Sequence, residues 1–378
     1  LFPLQIAINA IMFATGRTKT LNVDLWNVWG KAFMALVVEY VTGSFIAGMI
    51  VASLRIVLEL VLGDAIQPRI FKHTGLPGVT CPHSGLLHMA TLYPIDLLLR
   101  KIPLLNRESF DAEYLRSKIG IFAENHIMGF ILGILFGLIA RYSFAQALVL
   151  GFSAACAMTM LPIATGLFGN ALTPISDACR SFMERHAKGR EVLIGLDIPI
   201  LLGNTEIWAA SMVSVPFTLL WAVIMPWNNM LPFAGIVNYG CGLVAYYVCN
   251  GNLLRMILLM AGVSAPLYLW CGNAVAPVVS DLALNVGIIQ SGFISNSGID
   301  CPLFTYAFSF LSQITQGNFL PLIMCVYFAF GYFLLIRDLH REEAEKHGDK
   351  DVSAAQTAEN TASPDAAAVV ESVSAGDN

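Results

Sequence analysis

Apolar stretches of about 18–20 residues recur between Leu1 and Ile336 with few charges inside them, and a helix of that length spans a hydrocarbon layer of roughly 30 Å. Inside such a layer the backbone must satisfy its own hydrogen bonds, which a helix does within one segment. The chain therefore reads as an all-α polytopic membrane protein, with about 8–10 membrane segments by the length of its apolar runs. Composition agrees: 56% of the 378 residues are hydrophobic and 12% charged, where a soluble protein carries about 25% charged residues.

The formal charge of −5 belongs to one end. Residues 338–378 hold ten acids against three bases and no aromatic residue, leaving residues 1–337 at +2. A segment with so little to bury is expected to be a disordered acidic cytoplasmic tail, set apart from a membrane-embedded transport domain over 1–337. The eight cysteines show no C-x-x-C pair and mostly lie in apolar runs, so neither a disulfide framework nor a zinc site is expected. Leu1–Gly16 has its bases, Arg17 and Lys19, after the apolar run rather than before it, the reverse of a signal peptide, and reads as the end of a membrane helix whose beginning is missing.

Of the 21 Lys and Arg residues, 16 fall in 1–190, and cytoplasmic loops should own such clusters. That rule places a loop with Arg17, Lys19 and Lys31 inside. It makes 32–63 a paired element broken at Thr42-Gly43-Ser44, and it puts Arg69 and Lys72 in the next inner loop. Residues 79–101, with His83, His88 and Asp96 among leucines, fit a helix lying at the interface. A charged cytoplasmic loop over 102–118 precedes crossings at Gly120–Ala140 and Ser143–Phe168. Between them and the next apolar run, residues 175–190 form an amphipathic helix on the inner leaflet. The short run 192–204, holding Asp197 and Pro199, reads as re-entrant or broken. Crossings follow at Ile207–Met225, Met230–Val248 and Asn252–Leu269. Residues 273–316 make a second re-entrant element, and Asn318–Ile336 leads inward to a cytoplasmic C-terminus.

No phosphate-binding loop, H-E-x-x-H or G-x-S-x-G pattern is present, so no catalytic residue, cofactor or metal is assigned. Ionisable residues inside apolar segments carry the interest instead, because each costs about 2.5–3.5 kcal/mol to insert and so tends to face a cavity or a partner. The sharpest group is Asp197 with Asn204, Thr205 and Glu206 around a broken element, a set of donors and acceptors suited to a polyhydroxylated ligand. The alternative is that Asp197 and Asn204 cap helix ends and Glu206 opens a helix. Glu124, Asn125 and His126 form a second group that cannot all face lipid, or else an interfacial helix start. His83, in the turn 78–85, could donate to a ligand hydroxyl or serve the turn alone. Arg55 and Glu59, at i and i+4, read as an internal ion pair.

Through these same residues the chain resembles enzyme IIC, the membrane subunit of galactitol-type sugar phosphotransferase systems (PTS). The matching stretches are NVDLWNVW (22–29), the Pro82-His83 turn, KIPLLNRESFDAEYLRSKIGIFAEN (101–125), LTPISDACR (172–180), IGLDIPILLGNT (194–205), MLPFAGI (230–236) and GNLLRMI (251–257). The resemblance implies a permease of the bacterial inner membrane, a homodimer, that carries a polyol inward for phosphorylation by a IIB subunit itself charged by IIA. It implies an elevator-type carrier related to the ascorbate and galactitol carriers, with two re-entrant hairpins. Family members carry further membrane segments ahead of the position of Leu1, so the chain reads as N-terminally truncated. Glu206-Ile207-Trp208 differs from galactitol carriers, leaving the particular polyol open. The competing readings are a proton- or sodium-coupled secondary transporter using Asp197, Glu206 and Glu124, and an intramembrane enzyme, which the missing motifs disfavour. No nucleic-acid partner is implied.

Overall fold

The computed structural model describes residues 1–22, 26–106, 120, 124–160, 163–164, 167, 174, 191–202, 204–230, 241–295 and 300–361. The charged loop expected beyond residue 106 and the amphipathic helix expected over 175–190 lie outside these residues. Two compact units are present, Leu1–Leu335 and Ile336–Asn378.

In the first unit, α1 (Phe2–Ala14) leads to a two-residue strand, β1 (Thr20–Leu21), and then to a helical hairpin of α2 (Trp29–Thr42) and α3 (Phe45–Thr74). The hairpin breaks where the sequence suggests. Gly43 takes φ 67, a left-handed conformation that ends α2, and Ser44 Oγ accepts from the Ala47 amide at 3.2 Å to start α3. The basic residues differ from expectation. Lys31 is inside α2 rather than in a loop, and is 1% exposed. Arg69 and Lys72 belong to the end of α3, which runs for 30 residues. Bases are favoured at a helix C-terminus by its dipole, so they end a helix as readily as they mark a loop.

Next come β2 (Val79–Thr80), a 3₁₀ turn Ser84–His88 and α4 (Met89–Leu99). Every residue from Val79 to Tyr93 is buried, so this segment is not the surface-lying helix expected. Its polar residues have partners within the protein instead. His88 Nε2 lies 2.9 Å from Ser264 Oγ. Asp96, fully buried, accepts from Arg100 Nε and from Arg255 Nη1, each at 2.7 Å.

Helices α5 (Asn125–Ile139) and α6 (Phe144–Met160) pack along Gly129, Gly133 and Gly137. A Cβ at Gly133 would come within 2.7 Å of Gly151 Cα, and one at Gly137 within 2.8 Å of Ala147 Cα. Such small-residue stripes let helix backbones approach where no hydrophobic effect drives them together.

The chain then forms β3 (Leu193–Gly195), a 3₁₀ turn Ile198–Leu201, α7 (Thr205–Ile224), α8 (Cys241–Cys249) and α9 (Leu253–Asn285). Asn250 and Gly251, both at positive φ, turn α8 into α9, and Asn252 Oδ1 caps α9 by accepting from the Arg255 amide. Helix α9 continues past Leu269, where the sequence suggests an end, through to Asn285. Its polar residues are met by neighbours rather than breaking it. Asn273 Oδ1 accepts from the Asn229 amide at 2.7 Å, and Tyr40 Oη donates to Asp281 at 3.3 Å. One π turn interrupts α9 at Met260–Ser264, and Trp221 Nε1 donates to the Ala261 carbonyl there at 2.8 Å.

Helix α10 (Pro302–Ser309) is almost wholly buried, with Phe304 against Phe328 of α11 (Leu320–Thr361). Tyr327 and Tyr332 of α11 donate to the Thr91 and Leu58 carbonyls. Among the described residues three helices are long and apolar enough to cross a membrane: Phe45–Thr74, Leu253–Asn285 and Leu320–Ala344. In the second unit, residues up to Thr361 are helical, within the tail expected to be disordered, and 362–378 lie outside the described residues.

Among the described residues the strands depart from an all-helical reading. They form a parallel sheet in the order β1-β3-β2, with Leu21 and Val79 both in register with Ile194. Backbone that leaves helical geometry inside a membrane protein still needs partners, and three short breaks meet that need by pairing with one another.

Candidate functional site

The sheet decides where the polar side chains go. All three strands run the same way, so the residues following them emerge at one end: Asn22 after β1, Pro82-His83 after β2 and Asp197 after β3. Gly195 makes this possible, since a Cβ there would meet Pro82 Cγ at 2.7 Å. Asn22 Nδ2 donates to the Pro82 carbonyl at 3.3 Å, and Asn27 Nδ2 donates to Asn22 Oδ1 at 3.1 Å.

His83 Nδ1 accepts from the Gly85 amide at 2.9 Å, which leaves the proton of the neutral ring on Nε2. That nitrogen faces Asp197 Oδ1 at 3.6 Å, too far for a hydrogen bond. Burial, reinforced by the Lys31 and Arg55 cations, pushes His83 down to about 3 and keeps it neutral. Asp197 also caps the Ile198–Leu201 turn, its Oδ1 accepting from the Ile198 amide at 2.7 Å, the capping role considered for it from the sequence.

Beneath this pair lies a buried charge cluster. Lys31 of α2 pairs with Glu59 of α3 and donates to the Asn27 carbonyl. Glu59 Oε1 also accepts from Ser84 Oγ at 2.6 Å and lies 3.3 Å from Arg55 Nε. Arg55 Nη1 donates to the Gly30 carbonyl at 3.1 Å, while its Nη2 is 3.7 Å from Asp300 Oδ2. Lys31, Arg55 and Glu59 are each 1% exposed and Asp300 9%. Burial pushes the Asp300 carboxyl up to about 6, against the opposing pull of Arg55. Gly30 is the cradle of the cluster, because a Cβ there would overlap Asp300 Oδ2 and crowd Ser84 Oγ.

Of the residues singled out from sequence, the structure brings His83 and Asp197 together and sets the Arg55–Glu59 pair beside them. Asn204 stands at the N-cap of α7 without a capping side-chain bond, and Thr205 opens that helix. Glu206, in its first turn, lies beside Tyr246, whose hydroxyl is 2.8 Å from His73 Nδ1. Glu124 is half-buried at the N-cap of α5, Asn125 opens α5, and His126 is exposed. Sequence reasoning did not connect Lys31, Ser84 or Asp300 with this cluster. A charge count was the available signal: a lysine at the start of an apolar run needs a carboxylate, and Glu59, across the hairpin, supplies it while facing Arg55 as well. Among the described residues no group of three or more His, Cys, Asp or Glu side chains could hold a metal ion.

A helical membrane protein with a buried, charge-bearing polar site where three chain breaks converge is built as a carrier is built. Comparison with known proteins identifies which kind. Residues 1–292 match the EIIC-GAT family, described as the PTS system sugar-specific permease component, and the chain belongs to that family. It is 32% identical over 292 residues to the PTS system galactitol-specific EIIC component of Escherichia coli K12, and equally so to that of strain O157:H7, covering 77% of this chain and 64% of each relative. It is 31% identical over 300 residues to a putative permease IIC component of Escherichia coli K12, covering 77% of this chain and 67% of that protein. The chain thus spans a little under two thirds of the length of the galactitol-specific relatives.

Proposed function

We propose that this chain is the IIC permease subunit of a phosphotransferase system for galactitol or a similar polyol, and that the His83–Asp197 pair receives the substrate. The observation that carries the reading is the 3.6 Å separation of His83 Nε2 and Asp197 Oδ1 beyond the strand ends. A single ligand hydroxyl about 2.8 Å from both accepts from the imidazole and donates to the carboxylate. Membership of the permease family, and similarity to galactitol-specific relatives, supports the substrate class. In this reading Asn204, Thr205 and Glu206 at the start of α7, with Glu124, Asn125 and His126 at the start of α5, line the substrate's path. The carrier works as a homodimer of the bacterial inner membrane, by an elevator movement of a part containing two re-entrant elements. IIB, recharged by IIA, phosphorylates the arriving substrate.

Asp197→Asn is the direct test. Asn still caps the 3₁₀ turn, but it loses a charge-assisted hydrogen bond to ligand, so galactitol affinity measured by calorimetry in detergent should fall by ten- to a hundredfold, about 1.5–3 kcal/mol. Wild-type affinity would remove Asp197 from the site. The coupling is tested in vesicles. The permease alone should exchange polyol without concentrating it, and with IIA, IIB and the general phosphotransferase proteins the substrate should appear inside as its phosphate. Accumulation of free polyol driven by a proton or sodium gradient would replace this reading with a secondary transporter.

The segment 338–378 serves in this reading as a solvated cytoplasmic appendage, on the strength of its net charge of −7. Deleting 346–378 should leave uptake per folded molecule within about twofold of the full chain, because polar termini of this kind tolerate truncation. Loss of uptake at normal expression would contradict it.

A further inference from the structure

Two chain segments interlock around the strand-end pair. Pro82, just before His83, sets its ring against Gly195, where a Cβ would come within 2.7 Å of Pro82 Cγ. Ile198, just after Asp197, sets its side chain against Gly85, where a Cβ would come within 3.2 Å of Ile198 Cδ1. Each segment thus gives a glycine to the other, and the two contacts bracket the side chains that face one another at 3.6 Å. Gly85 is not among the glycines at positive φ, so room rather than backbone freedom is what it supplies.

Each of the facing side chains is also anchored through one polar atom. His83 N-caps the turn Ser84–His88, its Nδ1 accepting from the Gly85 amide at 2.9 Å, as Asp197 Oδ1 caps the turn after it. Ser, Thr, Asp and Asn are the preferred caps, and an asparagine would serve the Gly85 amide as well. What an imidazole adds is a second nitrogen across the ring, and the cap makes that nitrogen a donor. Gly85 therefore acts on the pair twice. Its N–H fixes which nitrogen of His83 carries the proton, and its missing side chain lets Ile198, and with it Asp197, close on the ring. An added Cβ would press on His83 Nδ1 as well, also at 3.2 Å.

We propose that Gly85 is the positioning residue of the strand-end site, holding His83 as an Nε2–H donor and setting its gap to Asp197 to the reach of one hydroxyl. The inference rests on the strand-end site of the preceding section and adds what that site selects. A ligand atom in the gap accepts from the imidazole and donates to the carboxylate, which offers about four acceptor sites and so serves a ligand beside its cap. A hydroxyl meets both demands. A fluorine or a carbonyl oxygen accepts but cannot donate, so the class selected is a polyol reduced at that carbon, against its keto form. Misplacing a group by about 1 Å can cost a hundredfold, and the few tenths that an added Cβ demands are expected to cost about tenfold.

The tests use the full chain in detergent. Nitrogen-15 NMR of labelled histidine, with His83 assigned from the signals lost in His83→Asn, should show a neutral ring protonated on Nε2. By calorimetry, Gly85→Ala should bind galactitol about tenfold more weakly than wild type. Adding Ile198→Val removes the Cδ1 atom that the new Cβ crowds, and should regain at least threefold. Monodeoxyfluoro galactitols read the gap itself: at one carbon, fluorine should cost the wild-type protein at least tenfold, and in Gly85→Ala that penalty should shrink to threefold or less. A glycine needed only for packing would change affinity or stability without changing which hydroxyl matters. A ring protonated on Nδ1, wild-type affinity in a folded Gly85→Ala protein, no gain from Ile198→Val, or an unchanged fluorine penalty overturns the role of Gly85 and leaves the strand-end site standing. If Gly85→Ala does not fold, the wild-type tautomer and the double variant decide by the same criteria. Wild-type protein that binds neither galactitol nor another hexitol overturns the strand-end site itself.

Discussion

Lys31→Met is expected to leave little folded protein. The lysine and its partner Glu59 are each 1% exposed, on adjacent helices, and without the lysine Arg55 alone faces both Glu59 and Asp300. Removing one member of a buried ion pair costs about 3–5 kcal/mol when the remaining charge is poorly compensated. That is a large part of the roughly 5–15 kcal/mol that holds a typical protein together. The apparent unfolding temperature in detergent should fall by on the order of 10 °C. Introducing Glu59→Gln together with Lys31→Met removes the pair as a unit, leaves Arg55 facing Asp300, and should recover more than half of the loss. A single Lys31→Met protein that unfolds at the wild-type temperature would mean that the α2–α3 pairing does not support the fold.

How far the sequence leads to this cluster depends on the distance over which a signal travels. Arg55 and Glu59 are one helical turn apart, and their pairing follows from spacing alone. The break at Thr42-Gly43-Ser44 is likewise local, because a glycine that tolerates positive φ followed by a serine that caps is a complete stop-and-start signal. Lys31 joins across a hairpin, so charge patterning read as topology sends it to a loop. Asp300 comes from the far end of the chain, and no local rule connects it to Arg55.

The strands were illegible for another reason. Each is two or three residues long, too short for any alternation to register, and they exist because three chain breaks pair with one another. Their consequence for the site is nevertheless the main one. Proximity of His83 to Asp197 follows from β2 and β3 running parallel in adjacent positions, whereas in sequence the two residues share only the property of following a break. The opposite difficulty arises in α9, where the crossing that the sequence ends at Leu269 continues past Asn273 and Asp281 to Asn285. A helix keeps such residues when neighbours supply their hydrogen bonds, as the turn before α8 supplies those of Asn273.

Asp96→Asn should be the second severe substitution, and its character should differ from those at the site. Asp96 is fully buried and accepts from Arg100 of its own helical segment and from Arg255 of α9. The same two guanidinium groups donate to the Val248 and Cys249 carbonyls at the end of α8. One carboxylate thus positions two cations that satisfy carbonyls an α-helix leaves unpaired at its C-terminus. Replacing it with a neutral amide leaves Arg100 and Arg255 facing each other without a counter-charge, and a loss of about 3–5 kcal/mol is expected. Expression and unfolding temperature should fall as far as for Lys31→Met. Arg255→Met in the same chain should restore part of the loss, because it removes one of the two uncompensated charges. Whatever fraction of Asp96→Asn remains folded should bind galactitol with wild-type affinity, since this cluster joins helices and contributes nothing to the strand-end site. An Asp96→Asn protein that is stable but binds polyol poorly would reverse the assignment, placing the substrate at α4 and α9 instead of beyond the three strands.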